Sequence, residues 1–198
     1  MKIENEARVL RINIENILKR IKDMQLQFIA VKFQKRYVYD FIPPVKGRWI
    51  RLRTDGIKSS LTIKEITHTG ISGTRELEIE VSDFDQTNEI LNKLGYFSRS
   101  YQENFRIEFK SEDGEFDIDF WPQIDPYFEI ESDSEEKVKF LFSQFGYSIK
   151  DIISLNVDDV YRNIYGIDLD KIKNLEFSKE DKDYLTKLKR RIIDEYAK

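Results

Sequence analysis

The sequence predicts an α+β fold built mainly on strands. Three observations carry that expectation: strand-length runs alternate apolar and ionic residues with a period of two, glycine, proline and Asp-Gly turn signals separate those runs, and a tail of helical pattern follows them. At 198 residues the chain has material for one well-buried domain, or for one domain carrying a helical appendage. Apolar residues make up 40% and charged residues 35%, too apolar for a disordered chain and too charged for a membrane protein, so a soluble globular protein is expected. No apolar run approaches a membrane span, and Met1-Lys2-Ile3-Glu4 is acidic where a signal peptide needs an apolar core. A cytoplasmic location with no membrane partner is the expectation.

Residues 3–12 alternate as a strand, and residues 14–31 read as a helix with Ile14, Ile17, Leu18 and Ile21 on one face and Asn13 as N-cap. Residues 36–41 and 49–53 read as paired strands around the Pro43-Pro44 and Lys46-Gly47 turns, and residues 61–66 and 75–81 continue the sheet. Asp83-Phe84-Asp85 opens a helix that runs to about Leu94 and stops at Gly95. Residues 105–110 and 115–120 flank Ser111-Glu112-Asp113-Gly114, whose Asp-Gly pair signals a hairpin, and a further strand spans residues 127–131. Ser132-Asp133-Ser134-Glu135 supplies a capping-box pattern for a helix ending at Gly146. From 151 to 198 the chain looks helical, its last helix capped by Ser178-Lys179-Glu180-Asp181. Residues 1–150 are thus expected to form the main domain and residues 151–198 a helical extension packed on it.

Absent cysteines exclude disulfide scaffolds, thiolate zinc sites and cysteine nucleophiles, and a single histidine, His68, excludes multi-histidine metal sites. Any metal must therefore sit on carboxylates, a donor set that suits Mg2+ or Mn2+. His68 lies in a loop and is given no role. The net charge of −4 argues against a nucleic-acid partner. It leaves room for a small anion in a local basic pocket.

Residues two apart in a strand share a face. That rule groups Glu4, Glu6 and Arg8; Arg51 and Arg53; Glu76, Glu78 and Glu80; Arg106, Glu108 and Lys110; Asp117 and Asp119; and Glu129 and Glu131, with Lys64 on the ionic face of its own strand. An ordinary strand turns such a face to water. Here the faces are almost wholly ionic, and several place like charges side by side, which destabilises a strand unless something compensates them. Metal cations and a polyphosphate would compensate both kinds of stripe, since arginine and lysine clamp phosphate. Trp49 and Trp121 flank the stripes; either could stack on a base, though packing at a strand end is the simpler role.

Glu4-Asn5-Glu6-Ala7-Arg8 resembles the ExExK signature of the CYTH superfamily, the triphosphate tunnel metalloenzymes that include class IV adenylate cyclases, thiamine triphosphatases and inorganic triphosphatases. Arg51-Leu52-Arg53, Leu61-Thr62-Ile63-Lys64, Arg75-Glu76-Leu77-Glu78-Ile79-Glu80-Val81 and Asp119-Phe120-Trp121-Pro122 through Glu129-Ile130-Glu131 are similar to later family motifs, in the same order, across residues 1–150. The resemblance implies a closed antiparallel eight-stranded β-barrel with its ionic faces turned inward and helices outside. It implies a metal site of Glu4, Glu6, Glu129 and Glu131 with Asp119 close by, to which the acidic stripe adds Glu78 and Glu80 and, less firmly, Glu76. Arg8, Arg51, Arg53, Lys64 and Arg106 would hold phosphates, and Arg8, Glu129 and Glu131 would be catalytic.

The implied activity is Mg2+- or Mn2+-dependent hydrolysis of tripolyphosphate, ATP or thiamine triphosphate. A class IV adenylate cyclase, in which the ribose 3′-hydroxyl attacks the α-phosphate of ATP, uses the same acids and bases. One departure, Phe105 before Arg106 where similar chains carry a basic pair, removes an expected phosphate contact and favours a third reading, a non-catalytic polyphosphate- or nucleotide-binding domain. The amphipathic last helix is compatible with bracing the barrel or with a homodimer contact.

Overall fold

The period-two runs become eight antiparallel strands that close on themselves. In this computed structural model, which describes residues 1–197, the strands are β1 (Lys2–Leu10), β2 (Gln27–Asp40), β3 (Arg48–Thr54), β4 (Ser59–Ile66), β5 (Thr74–Val81), β6 (Ser100–Lys110), β7 (Glu115–Phe120) and β8 (Tyr127–Ser132). Their order is β2-β3-β4-β5-β1-β8-β7-β6, and β2 pairs with β6 from Gln27↔Lys110 to Val38↔Ser100 to complete the ring. Closure leaves no long edge exposed, and eight strands enclose an interior wide enough for side chains or one small ligand.

The apolar faces of the strands point outward, most of them under helices α1 (Ile14–Asp23), α2 (Phe84–Lys93), α3 (Glu135–Gln144), α4 (Val157–Ile164) and α5 (Lys179–Tyr196), while Leu77 and Ile79 of β5 stay exposed. The largest core joins Phe105, Ile107, Phe116, Ile118, Phe128 and Ile130 of the barrel to Ile17 and Ile21 of α1, Val138 and Phe142 of α3, and Leu185 and Ile192 of α5. Each such buried side chain stabilises the fold by about 1.5–3 kcal/mol. A second cluster packs Tyr39, Ile50 and Leu52 beneath Phe84 and Leu91 of α2, and a third joins Trp121 and Tyr127 to Tyr161 of α4, Leu169 and Leu175. Most of the apolar strand surface is thus buried outside the barrel, and the interior is left largely to ionic groups.

Asn13, Asp83 and Ser178 cap their helices as the sequence predicts, Ser178 and Asp181 through a reciprocal capping box, whereas α3 is capped by Ser134, two residues past the Ser132 that a box with Glu135 requires. The helix expected over residues 14–31 ends at Asp23. Gln25 takes a left-handed conformation (φ 56), its N–H donates to Lys22 and that of Leu26 to Ile21, which closes the helix by the bond pattern that Gly95 completes for α2. The chain then enters β2, whose second half alone was expected, at residues 36–41.

The tail is less helical than expected. Between α4 and α5 lie a 3-10 turn (Leu169–Lys171) and a two-residue strand, β9 (Asn174–Leu175), parallel to Tyr101 and Gln102 of β6. Ahead of α4, Ile153 exchanges two backbone hydrogen bonds of 2.9 Å with Arg8. The first stretch of the tail thereby replaces β5 as the neighbour of β1 at one end of the barrel.

Candidate active site

Inward-facing residues line a cavity of about 890 Å³ that runs through the barrel. The strand order sorts its charges. Arginines come from the adjacent strands β6, β2 and β3 (Arg106, Arg36, Arg51 and Arg53), while β5, β1 and β8, on the far side of the ring, contribute Glu76, Glu78, Glu4, Glu6, Glu129 and Glu131. Most of the arginines thus share one wall and most of the glutamates the facing one, with Arg8 of β1 and Glu108 of β6 as exceptions.

On the basic side Arg51 donates to Glu76 and Glu78, and Arg53 to Glu78, all at 3.3–3.5 Å. Glu78 also accepts from Thr62 at 2.6 Å and Ser60 at 3.1 Å. Arg51 lowers the pKa of Arg53 to about 10, aided by burial and Arg106. Arg36 is buried at the meeting point of these side chains. Its guanidinium donates to Asn104 and to Gln34 and lies 4.6 Å from the centroid of the Trp121 ring, and no carboxylate pairs with it among the described residues. Burial and then Arg51, Arg53 and Arg106 push its pKa well below the ordinary guanidinium range. The Nε atoms of Arg36, Arg51 and Arg8 are buried without a hydrogen-bond partner. A multivalent anion would satisfy these donors and relieve the mutual repulsion.

On the acidic side Lys64 bridges Glu4 at 2.9 Å and Glu76 at 2.8 Å. Burial raises the Glu4 carboxyl to about 8 against the pull of Lys64, with Glu6 and Glu76 adding to the rise; Glu76, nearer the cations Lys64 and Arg51, is held at about 2 despite its own burial. Arg8 pairs with Glu129 at 2.7 Å and Glu6 at 3.2 Å, and donates to the Leu155 carbonyl of the tail at 2.6 Å. Arg106 spans Asp119 (2.6 and 2.9 Å), Asp117 (2.5 Å) and Glu129 (3.0 Å), which outweigh burial and keep it firmly charged.

The donor set fits a hard divalent cation. Glu6 lies directly opposite Glu131 across β1 and β8, and Glu131 opposite Glu115 across β8 and β7, so like charges abut where a cation would neutralise them. Among the described residues no three acidic side chains already converge as a cation cage. The acids are engaged by tunnel bases instead, such as Glu131 with Lys2 at 2.9 Å.

Of the residues singled out in the sequence, Glu4, Glu6, Arg8, Arg51, Arg53, Lys64, Glu78, Arg106, Glu129 and Glu131 all line the cavity. Two do not. Asp119 is wholly buried behind Arg106 and holds that side chain from the rear. Glu80, at the end of β5, has a 71% exposed side chain whose nearest base is Lys58 at 4.0 Å, so a strand-face argument carried it one step too far along the barrel. Glu76 lines the cavity. Phe105 faces outward, packed on Phe33 and Phe120, because the alternation of β6 turns Asn104 and Arg106 inward; a base there would have met the helices, not the tunnel. Arg36 instead supplies the extra cation. Its signal was parity with Arg53, its partner across β2 and β3. His68 lies outside the cavity in an exposed loop, 3.1 Å from the Thr67 hydroxyl.

The two mouths differ. One is ringed by ion pairs, Lys2–Glu131 and Lys110–Glu115 (2.8 Å), with Lys32–Glu108 (2.6 Å) just inside. The other carries Trp49, Val38, Gln102 and Trp121 and is covered by Asn156, Val157 and Asp158 from the tail. Arg99 secures that cover through Asp158 and Asp170 at 2.9 Å and Asp40 at 3.3 Å.

No family model matches the chain. A protein of Methanocaldococcus jannaschii named as a candidate adenylate cyclase is 26% identical over 170 residues, spanning 82% of this chain and 96% of the relative. The solved structure of a candidate adenylate cyclase from Vibrio parahaemolyticus superposes with a TM-score of 0.69 at 16% identity, covering 84% of this chain and 99% of the other. A Hippeastrum protein described as a candidate adenylyl cyclase with a dominant triphosphatase activity superposes with a TM-score of 0.55 at 15% identity, over 84% and 96% of the two chains. The closed barrel with an ionic interior is the fold that the resemblance to the CYTH superfamily implies, and the chain is similar to the archaeal relative over nearly all of that protein's length.

Proposed function

We propose that the protein is a metal-dependent triphosphatase that hydrolyses tripolyphosphate or an organic triphosphate within the tunnel. The observation that carries this reading is the convergence of four arginines, Arg36 and Arg51 buried and Arg53 and Arg106 partly so, opposite an acidic wall, with Arg36 lacking any acidic partner among the described residues. Buried cations without counterions are costly, and a chain retains them where an anionic ligand compensates.

Phosphoryl transfer asks for positioning and charge neutralisation more than for covalent help. Arg51, Arg53, Arg36 and Arg106 would grip phosphate oxygens through their guanidinium forks, with Lys64 as a point charge. Glu4, Glu6, Glu129 and Glu131 would hold Mg2+ or Mn2+, with Glu76 close to the same wall. Bound there, the cation supplies Lewis-acid polarisation and charge neutralisation. Arriving phosphates would draw Arg51 and Lys64 away from Glu76 and Glu4 and free these carboxylates for metal. Arg8 would stay fixed between Glu129 and the Leu155 carbonyl and align the acidic wall. The extension at residues 151–198 takes part in the site through that carbonyl.

The name of the archaeal relative favours a second reading, an adenylate cyclase, which differs in the phosphorus that faces the nucleophile. The description of the Hippeastrum protein supports hydrolysis. Incubation with ATP or tripolyphosphate plus Mg2+ or Mn2+, with cyclic AMP, phosphate and pyrophosphate resolved, separates them. Phosphate release without cyclic AMP is expected. Cyclic AMP with pyrophosphate would replace the hydrolase by the cyclase, and binding without any product would leave a binding domain.

A further inference from the structure

The inward cations of the tunnel differ in what holds them. Arg8, Lys32, Arg51, Arg53, Lys64 and Arg106 each pair with at least one carboxylate. Arg36 is held by amides. Its Nη2 donates to Oε1 of Gln34 at 3.3 Å and to Oδ1 of Asn104. Gln34 lies opposite Asn104 across β2 and β6, and Arg36 opposite Gln102, so three buried amides surround one buried guanidinium where the two strands pair.

An amide and a carboxylate have nearly the same shape, so the neutrality of these positions is not forced by space. Asn104 makes the case. Wholly buried, it donates from Nδ2 to Oδ1 of Asp119 at 3.2 Å while its own Oδ1 accepts from Arg36. The acceptor-only carboxylate takes the N–H and the donor-only guanidinium takes the oxygen, which fixes the orientation of the amide. Asp119 is itself bound through both oxygens to Arg106. Asn104 thus ties Arg36 to the anchor of Arg106 and spaces the Asp119 charge from it. Gln34, which lines the cavity beside Arg36, gives the guanidinium a second neutral acceptor.

This mount sets Arg36 apart when an anion arrives. An arginine already paired with a carboxylate must exchange one anion for another, whereas Arg36 exchanges only neutral acceptors and gains a charged partner. Its Nε, buried without a partner among the described residues, is a further donor for that ligand.

We propose that Gln34 and Asn104 are positioning residues that hold Arg36 in the tunnel without neutralising it, and that this neutral mount makes Arg36 the phosphate anchor that stands ready in the ligand-free site. The proposal rests on the triphosphate reading above and adds to it which arginine binds without first giving up an acid.

The test compares variants of the full-length protein by calorimetry with tripolyphosphate and Mg2+, and by thermal unfolding without ligand. Gln34→Glu sets a carboxylate against the unpaired arginine with almost no change of shape. It should raise the ligand-free unfolding midpoint by about 2 °C or more, because a buried charge gains a partner. It should also weaken tripolyphosphate binding by roughly tenfold or more, since Arg36 then has an anion to give up. A merely structural defect would lower the midpoint together with the affinity. Asn104→Ala removes the mount and leaves the charge. It should weaken binding by roughly threefold or more in the parent and add nothing to the loss in an Arg36→Met background, because the two act as one unit. A lowered midpoint in Gln34→Glu would overturn the proposal, as would unchanged affinity in either variant or an Asn104→Ala loss that persists at full size without Arg36. Absence of tripolyphosphate binding in the parent protein would instead remove the underlying reading.

Discussion

Arg36 stacks its guanidinium 4.6 Å over the ring of Trp121, three strands share its neighbourhood, and no carboxylate meets it among the described residues. Its charge is therefore a cost to the ligand-free fold and an asset only with an anion bound. Arg36→Met should raise the unfolding free energy of the ligand-free protein by about 1 kcal/mol, the modest end of gains seen when buried charge is replaced by an apolar side chain. The same variant should weaken tripolyphosphate binding at least tenfold, an expectation for a lost charge-assisted contact worth about 1.5–3 kcal/mol. Denaturant unfolding and calorimetry on one preparation read both effects. A destabilised variant with unchanged affinity would make Arg36 a structural residue.

Glu4 and Glu6 face the same interior from β1, and Glu6 abuts Glu131. Glu4→Gln together with Glu6→Gln removes two oxygen-ligand charges and keeps the shapes. Phosphate release should fall by about a hundredfold or more, because the metal's electrostatic contribution is several kcal/mol. Circular dichroism and the unfolding midpoint should stay near those of the parent, since both side chains lie in the tunnel and not in the apolar core. Turnover unchanged in the double variant would move the metal site elsewhere.

Much of this site was legible in one dimension because a strand's period of two is exact in its consequences: once Glu4, Glu6 and Arg8 share a face, so do Glu129 and Glu131. Which face looks inward was legible only through the family resemblance, because alternation alone is identical for a sheet with its ionic side in water. Arg36 escaped because Tyr37, Tyr39 and Phe41 give its strand an apolar face whose partner was unknown; only the pairing with Arg53 shows it beside the other arginines. The end of α1 was hidden for a different reason. Gln25 takes the left-handed turn that glycine marks at residue 95, and nothing in a glutamine announces it. Glu80 shows the opposite failure, since a correct face says nothing about where along the barrel the cavity ends.

Asp119 and Glu80 separate burial from sequence motif. Asp119 is fully buried and grips Arg106 through both oxygens. Asp119→Ala leaves a buried guanidinium short of a partner and should cost about 3–5 kcal/mol of stability. Glu80→Ala, at an exposed rim position, should change stability by less than about 0.5 kcal/mol and leave phosphate release unaltered. Thermal unfolding and product release, run on both variants together, test the pair of expectations. A Glu80 variant that loses activity would extend the site to the rim.

Glu4 and Glu76 give the ligand-free protein a pH dependence with a definite sign. Glu4 is faced by Lys64 of β4, Glu76 of β5 and Glu6 of its own strand, and holds its proton up to about pH 8 in the folded state, against about 4.5 in the unfolded chain. The folded protein therefore binds more protons than the unfolded chain between those values, and its stability falls as pH rises through that window, by up to about 1.4 kcal/mol per pH unit for one proton. Glu76, depressed to about 2, acts in the other direction: its stabilisation is complete above about 4.5 and is lost as pH falls toward 2. The pair thus favours a stability maximum near pH 4.5–5 in the presence of a chelator. Glu4→Gln, which cannot ionise, should flatten the decline between pH 5 and 8 while leaving the acid limb set by Glu76 in place. Urea titrations at intervals across pH 3–8 measure both limbs, and a decline equally steep in Glu4→Gln would assign it to another buried acid.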